Sequence, residues 1–167
     1  LAVMKDSTIG AMGAIALVMT ILLKFLFLNA LFHSVPLAIA LCMVVLMPAF
    51  SRWITVFAMH RGMAARRDGL GRIFLDSVTL FHVALSTLLV SVLYLCVTVA
   101  YLYGSYGIKS MGLLAALWFS LFLFSLLSDS FSRKRFGGLT GDNFGAMSEI
   151  SEILFLLVTS LWLHHSA

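Results

Sequence analysis

Four glycines and three acids lie close together in the stretch GGLTGDNFGAMSEISE, residues 137–152. Glycine allows the backbone to approach a bound ligand closely, and carboxylates are the hard oxygen donors that magnesium prefers. Glycines beside carboxylates therefore indicate a site for a phosphate group and magnesium. The candidate phosphate contacts are Gly137, Gly138 and Gly141, and the candidate metal ligands are Asp142, Glu149 and Glu152.

The spacing of these acids predicts that they share one face of a helix. If a helix begins near Phe144, the distance from Asp142 to Glu149 is almost two turns, so the two carboxylates lie on the same face. Glu152 lies one position round it. We expect the three carboxylates to converge. The alternative is a C-terminal membrane helix whose first turns are acidic because negative charge stabilises a helix N-terminus.

The composition describes a protein that is dissolved in lipid. Hydrophobic residues make up 62% of the 167 residues, and charged residues make up only 11%. Five apolar runs are each long enough to cross a bilayer as a helix. We therefore predict an all-α fold, a polytopic transmembrane helix bundle of about five spans that forms a single domain over residues 1–167. The runs are 9–32, 37–59, 79–103, 111–131 and 144–163.

The basic residues between these runs predict the orientation of the bundle. Five spans place the opening segment and the loops 60–77 and 132–142 on one side, which carries eight lysines and arginines against one on the other. Positive charge collects on the cytoplasmic side. We therefore expect an inner-membrane protein whose N-terminus and glycine-rich stretch face the cytoplasm. The eight are Lys5, Arg61, Arg66, Arg67, Arg72, Arg133, Lys134 and Arg135, and the one is Lys109.

Two cations fall inside the predicted spans. Lys24 lies more than halfway along the first run, where a lysine must either pair with an acid or extend toward the membrane surface, and we expect the second. Arg52 follows Pro48 by one turn and cannot face lipid cheaply, so we expect it to point inward. There it would pair with a buried acid or contact an anionic substrate, and the sequence favours neither.

The arginines near the glycine-rich stretch suit a pyrophosphate, although topology alone would also explain them. Phosphoryl transfer requires an alcohol held in line, a neutralised leaving group and a carboxylate that accepts the proton. No Gly-Lys-Ser/Thr follows the glycines, which excludes a Walker-type ATPase. Charge and location make Arg61, Arg66, Arg133 and Lys134 the candidate phosphate contacts, with Arg52 as a further candidate.

A transporter or channel subunit is a second interpretation, because Lys24 and Arg52 could line a path through the bilayer. Translocation would favour ionisable groups spread through the depth of the membrane. Here the acids gather near one boundary, which favours an enzyme at the interface. A purely structural subunit would leave the glycine-acid stretch unexplained, and we expect no nucleic-acid partner.

Two stretches also match known motifs, in the same order. MKDSTIGAMG, residues 4–13, resembles the M-[K/R]-D-S-x-x-G-x-x-G stretch of the cobalamin-phosphate synthases, also called adenosylcobinamide-GDP ribazoletransferases. GGLTGDNFGAMSEISE resembles the G-G-x-T-G-D-x-x-G-A…E-x-x-E segment of that family. Arg52, Arg61 and the segment 69–74 are similar to the family's middle region, so the resemblance covers essentially the whole chain.

The resemblance implies the last step in assembling the nucleotide loop of vitamin B12. In this step the ribose hydroxyl of alpha-ribazole, or of its phosphate, displaces GMP from adenosylcobinamide-GDP at a membrane enzyme that uses Mg²⁺. The resemblance also implies that Asp6, Asp142, Glu149 and Glu152 are candidate magnesium ligands, with Asp6 or Asp142 as the catalytic base.

One departure from the family's pattern concerns the metal. The family opens with a further region that carries a D-G-x-x-D…D-G motif, expected to supply metal ligands, and these 167 residues contain no such motif. We expect an N-terminal segment or a homo-oligomer to complete the site, and no transferase activity from this segment alone. The alternative enzyme is a CDP-alcohol-type membrane phosphotransferase, although its D-G-x-x-A-R…G-x-x-x-D-x-x-x-D signature is absent.

Overall fold

The computed structural model describes residues 10–63, 75 and 77–166 of the chain, and within these residues the fold is helical. Five helical segments are long and apolar enough to cross a membrane in this part of the chain, which confirms the predicted all-α bundle. The helices are α1 (Ala11–Ser34), α2 (Leu37–Arg61), α3 (Leu80–Val97), the short α4 (Tyr103–Tyr106), α5 (Lys109–Phe136) and α6 (Gly141–Ser166). A π-helical turn, Thr98–Leu102, extends α3 to complete the third span.

Helix α2 forms the centre of the bundle and contacts each of the other four long helices. Phe50, near its middle, is fully buried. Its ring packs against Tyr94 of α3, Trp118 of α5 and Phe155 of α6, with ring centroids 6.4, 5.2 and 5.4 Å away. Such offset and edge contacts between aromatic rings add to the stabilisation from buried area. This cluster therefore joins four of the five spans.

Small polar side chains hold α2 against α6. The hydroxyl groups of Ser51 and Ser148 lie 2.7 Å apart, and Ser51 also donates to the backbone carbonyl of Ser148 at 3.1 Å. Both residues are buried. Small residues let membrane helices approach closely, and their hydroxyls then find partners across the contact.

The outer surface of the bundle is apolar, as a lipid-facing surface must be. Ile21, Phe25, Leu89 and Phe119 are each more than half exposed. Together with the five spans, this surface makes the chain a multi-pass membrane protein. Four spans separate the N-terminal end of α1 from the loop before α6, so these two points lie on the same side of the membrane. That this side is cytoplasmic stays a prediction.

Candidate functional site

The glycine-rich loop between α5 and α6 is pinned to the end of α2. Gly137 and Gly138 have φ angles of 75° and 154°, a region that residues with a Cβ rarely adopt, and they reverse the chain after α5. The next residue, Leu139, is buried, and its backbone N–H donates to the carbonyl of Met63 at 2.7 Å. Its side chain lies directly against Gly62, where an added Cβ would clash with Leu139 Cδ1. Gly62 therefore makes room for the loop.

Helix α6 starts within this loop. The side-chain oxygen of Thr140 accepts a hydrogen bond from the backbone N–H of Asn143 at 3.4 Å, which is the arrangement of an N-cap. The helix consequently begins at Gly141, three residues before the expected start at Phe144. The unpaired N–H groups of a first turn and the helix dipole together favour an anion. Asp142 is exposed in this same turn.

Arg133 ties the end of α5 to the end of α2. Its Nε and Nη2 atoms lie 3.0 and 2.9 Å from the two carboxylate oxygens of Asp129, one turn earlier on α5. Nη2 also donates to the backbone carbonyl of Arg61 at 2.8 Å. This network holds the arginine in place and leaves Nη1 for a further contact. The side chains of Arg61 and Lys134 are exposed at the same end of the bundle, and the Arg61 guanidinium carbon lies 5.9 Å from the centre of the Phe57 ring.

Lys24 of α1 pairs with two glutamates of α6. Its ammonium nitrogen lies 2.6 Å from Glu149 Oε2 and 2.6 Å from Glu152 Oε2. The expectation that Lys24 extends alone toward the membrane surface is therefore wrong. A charge inside a span is costly unless it is paired, and the two carboxylates supply that pairing.

The structure does not bring the three acids of α6 together. Asp142 and Glu149 share a face, as predicted, but seven residues separate them by about 10 Å along the helix axis. Within the part of the chain that the structure describes, no three His, Cys, Asp or Glu side chains form a group that could hold a metal ion. The carboxylates do not converge as expected. Residues on the same face of a helix point in the same direction, but they can still lie far apart along the helix axis.

Comparison with known proteins decides the family. The family described as Cobalamin-5-phosphate synthase matches residues 1–160. This chain belongs to that family. An adenosylcobinamide-GDP ribazoletransferase of Thermodesulfovibrio yellowstonii is 36% identical over 169 residues, which cover 99% of this chain and 60% of the relative. The protein of the same name from Desulforamulus reducens is 35% identical over 95% of this chain and 58% of its own length.

This chain thus spans about 60% of the length of these two relatives. No solved structure matches it. The resemblance read from the two motifs is confirmed, because the match takes in both of them. The identity of the family does not assign roles to individual residues.

Arg52 occupies a different place from the one that the sequence predicted. It was expected to point inward, but it is exposed on the outside of α2. The neighbouring positions Phe50, Ser51, Trp53 and Ile54 are all buried, and at 100° per residue they leave Arg52 on the opposite side of the helix. No acid among the described residues forms an ion pair with it.

Two of the predicted site residues, Asp6 and Arg66, lie outside the described residues. Apart from Arg52, the structure places the others at one end of the bundle or along α6. The loop glycines, Arg61, Arg133 and Lys134 are at the end where α6 begins, and Glu149 and Glu152 lie two to three turns into α6.

Sequence reasoning missed two interactions that shape this site. The Asp129–Arg133 pair has the i, i+4 spacing of an ion pair on a helix, so the sequence carried a signal for it. Lys24 and Glu152 are 128 residues apart, and no local pattern connects them. Only the packing of α1 against α6 reveals that pair.

Proposed function

We propose that the protein of which this chain is part carries out the last step of cobalamin nucleotide-loop assembly. It transfers the cobinamide phosphate of adenosylcobinamide-GDP to alpha-ribazole, or to its phosphate, and releases GMP. The single observation that carries this proposal is the match of residues 1–160 to the cobalamin-5-phosphate synthase family. The anchored glycine loop, with basic side chains at the same end of the bundle, supports it.

The reaction replaces a phosphoanhydride bond with a phosphate ester bond. The ribose hydroxyl oxygen attacks the phosphorus that carries cobinamide, a new P–O bond forms, and the anhydride bond to GMP breaks. The hydroxyl proton passes to a base, and GMP leaves with the bonding electron pair. Catalysis in such reactions comes mostly from positioning and from stabilising charge.

The described residues support a binding role for the loop and its surroundings. Gly137, Gly138 and Gly141 precede or begin α6, whose first-turn N–H groups suit a phosphate oxygen. Exposed basic side chains at this end, Arg61 and Lys134, would neutralise charge on the pyrophosphate, and Arg133 can add its Nη1. Arg66 stays a candidate phosphate contact. The exposed position of Arg52 on the outside of α2 argues against such a role for it.

Magnesium is the proposed cofactor, and its role when bound is to neutralise charge on the diphosphate. Magnesium is commonly held by one or two carboxylates together with substrate phosphates. Among the described acids, Asp142 fits this requirement because it is exposed beside the loop. We assign the ion to Asp142 and Asp6, either of which is also the candidate base. Glu149 and Glu152 share Lys24, and this pairing argues against their role as metal ligands.

The experiment that tests this function uses the whole protein expressed from its native reading frame. We expect it to release GMP from adenosylcobinamide-GDP only when alpha-ribazole or its phosphate is present, and to stop when EDTA removes magnesium. GMP release without an acceptor would indicate a hydrolase instead. The 167-residue segment alone is expected to be inactive, and a segment that completes the site, or a homo-oligomer, is the proposed partner. The proposed location is the inner membrane, with the site facing the cytoplasm.

A further inference from the structure

We propose that Lys24 is a positioning residue, which sets the height and rotation of α1 against α6 and thereby places the N-terminal end of α1 beside the glycine loop. The catalytic part of this inference rests on the proposed function, whereas the structural part does not. The observation that carries it is the double ion pair of the Lys24 ammonium with Glu149 and Glu152, at 2.6 Å each.

Helix α1 packs along α6, but this packing buries few of its side chains. Leu31, near its C-terminal end, is its only buried residue among Ala11–Ser34. The most apolar part of the helix has no buried residue at all. Contacts between apolar side chains that are largely exposed allow a helix to slide and rotate. The ion pairs of Lys24 are directional. They lie in the N-terminal two thirds of α1, too far from Leu31 for that residue to fix the position of the helix there.

The ion pair between Lys24 and Glu152 is also well buried. Their side chains are only 21% and 13% exposed, whereas the side chain of Glu149 is 54% exposed. Breaking a pair in such a place leaves a charge without compensation inside the membrane, which is much more costly than breaking a pair in water. The pairs therefore resist any shift of α1 that would separate their atoms.

The paired residues lie at similar distances from the N-terminal ends of their two helices. Lys24 lies 13 residues after Ala11, or about 20 Å along α1. Glu149 and Glu152 lie 8 and 11 residues after Gly141, or about 12 and 16 Å along α6. Since the first and fifth spans run in the same direction, these rises place the starts of α1 and α6 within about 8 Å of each other along the helix axis.

This alignment connects the two motifs that identify the family. One motif runs into the first turn of α1, and the other contains the loop and the first turns of α6. Lys24 belongs to neither motif. Its ion pairs nevertheless hold α1, whose first turn contains the end of the first motif, against α6, which contains most of the second. A phosphate site built from both ends needs this alignment, because a displacement of about 1 Å can lower turnover about 100-fold.

The test compares Lys24→Met, which removes the charge, with Lys24→Arg, which keeps it. Spin labels are placed at Gly10 and Gly141 of the whole protein, after Cys42 and Cys96 are replaced by alanine. Both glycines have open space where a side chain would begin. We expect one narrow distance distribution in the unsubstituted protein and in Lys24→Arg, and a broad or shifted distribution in Lys24→Met. An unchanged distribution in Lys24→Met would overturn the inference.

Turnover provides the second readout. We expect Lys24→Met to lower kcat about 100-fold, Lys24→Arg to keep most of it, and KM to change much less than kcat. The matched control is Lys109→Met, the same chemical change at the opposite end of the bundle, which is expected to leave turnover unchanged. Full activity of Lys24→Met would refute the catalytic part. If the unsubstituted protein shows no turnover but the spin-label distances respond, the proposed function fails and the positioning role of Lys24 stands.

Discussion

The contact between Gly62 and the glycine loop provides the sharpest quantitative test of the site. A methyl group added at Gly62 would clash with Leu139 Cδ1 and lie 2.6 Å from the backbone carbonyl oxygen of Ala58. Carbon atoms in contact normally lie about 3.5–4.0 Å apart, so the leucine would have to move by about 1 Å or more. The backbone of α2 on the other side cannot yield in the same way. We therefore expect Gly62→Ala to push the loop outward.

The size of the effect follows from the two consequences of that displacement. Overpacking of a buried contact costs about 1–3 kcal/mol of folding free energy, and the N–H···O bond between Leu139 and Met63 would be stretched. A loop displaced by about 1 Å is expected to lower kcat for GMP release about 100-fold. The assay is GMP release by the whole protein, with the melting temperature measured in parallel.

Two further variants make this prediction specific. Gly104→Ala is the matched control, because nothing lies within 4 Å of a Cβ at Gly104, and it should behave as the unsubstituted protein does. Adding Leu139→Ala to Gly62→Ala removes the closest clash and should restore part of the turnover. If Gly62→Ala keeps normal turnover and stability, the proposed anchoring of the loop by this contact is refuted.

Three further predictions concern the metal, the topology and the far end of the bundle. Asp142→Asn keeps the size of the side chain but removes its charge, so turnover should fall about 100-fold or more; near-normal turnover would rule out its proposed role. In a protein without native cysteines, Arg135→Cys and Ile108→Cys should react with impermeant reagents from opposite sides of the membrane, and labelling from the same side would contradict the five-span topology. Gly112→Ala places a methyl group 2.5 Å from the Trp162 ring, so we expect a loss of about 1–3 kcal/mol in stability with turnover unchanged at low temperature, and unchanged stability would contradict the packing.

The sequence determined that this is a membrane protein, and it predicted the five spans found in the described part of the chain. A bilayer requires long apolar runs, and these runs can be counted directly. Motif order also indicated the family, which the match over residues 1–160 confirms. These properties depend on local composition or on residues close together in the chain, so no knowledge of packing was needed to obtain them.

Tertiary structure alone decided where the charges inside the spans lie. Lys24 was expected to extend to the surface and instead pairs with Glu149 and Glu152, and Arg52 was expected inside and is exposed. Hydropathy shows that a charge in a span is unfavourable, but it does not show whether the charged side chain is paired with an acid or exposed on the outside of the bundle. That depends on which helices pack together and on their relative heights and rotations. Helical spacing likewise placed Asp142 and Glu149 on one face, while the rise of the helix keeps them about 10 Å apart.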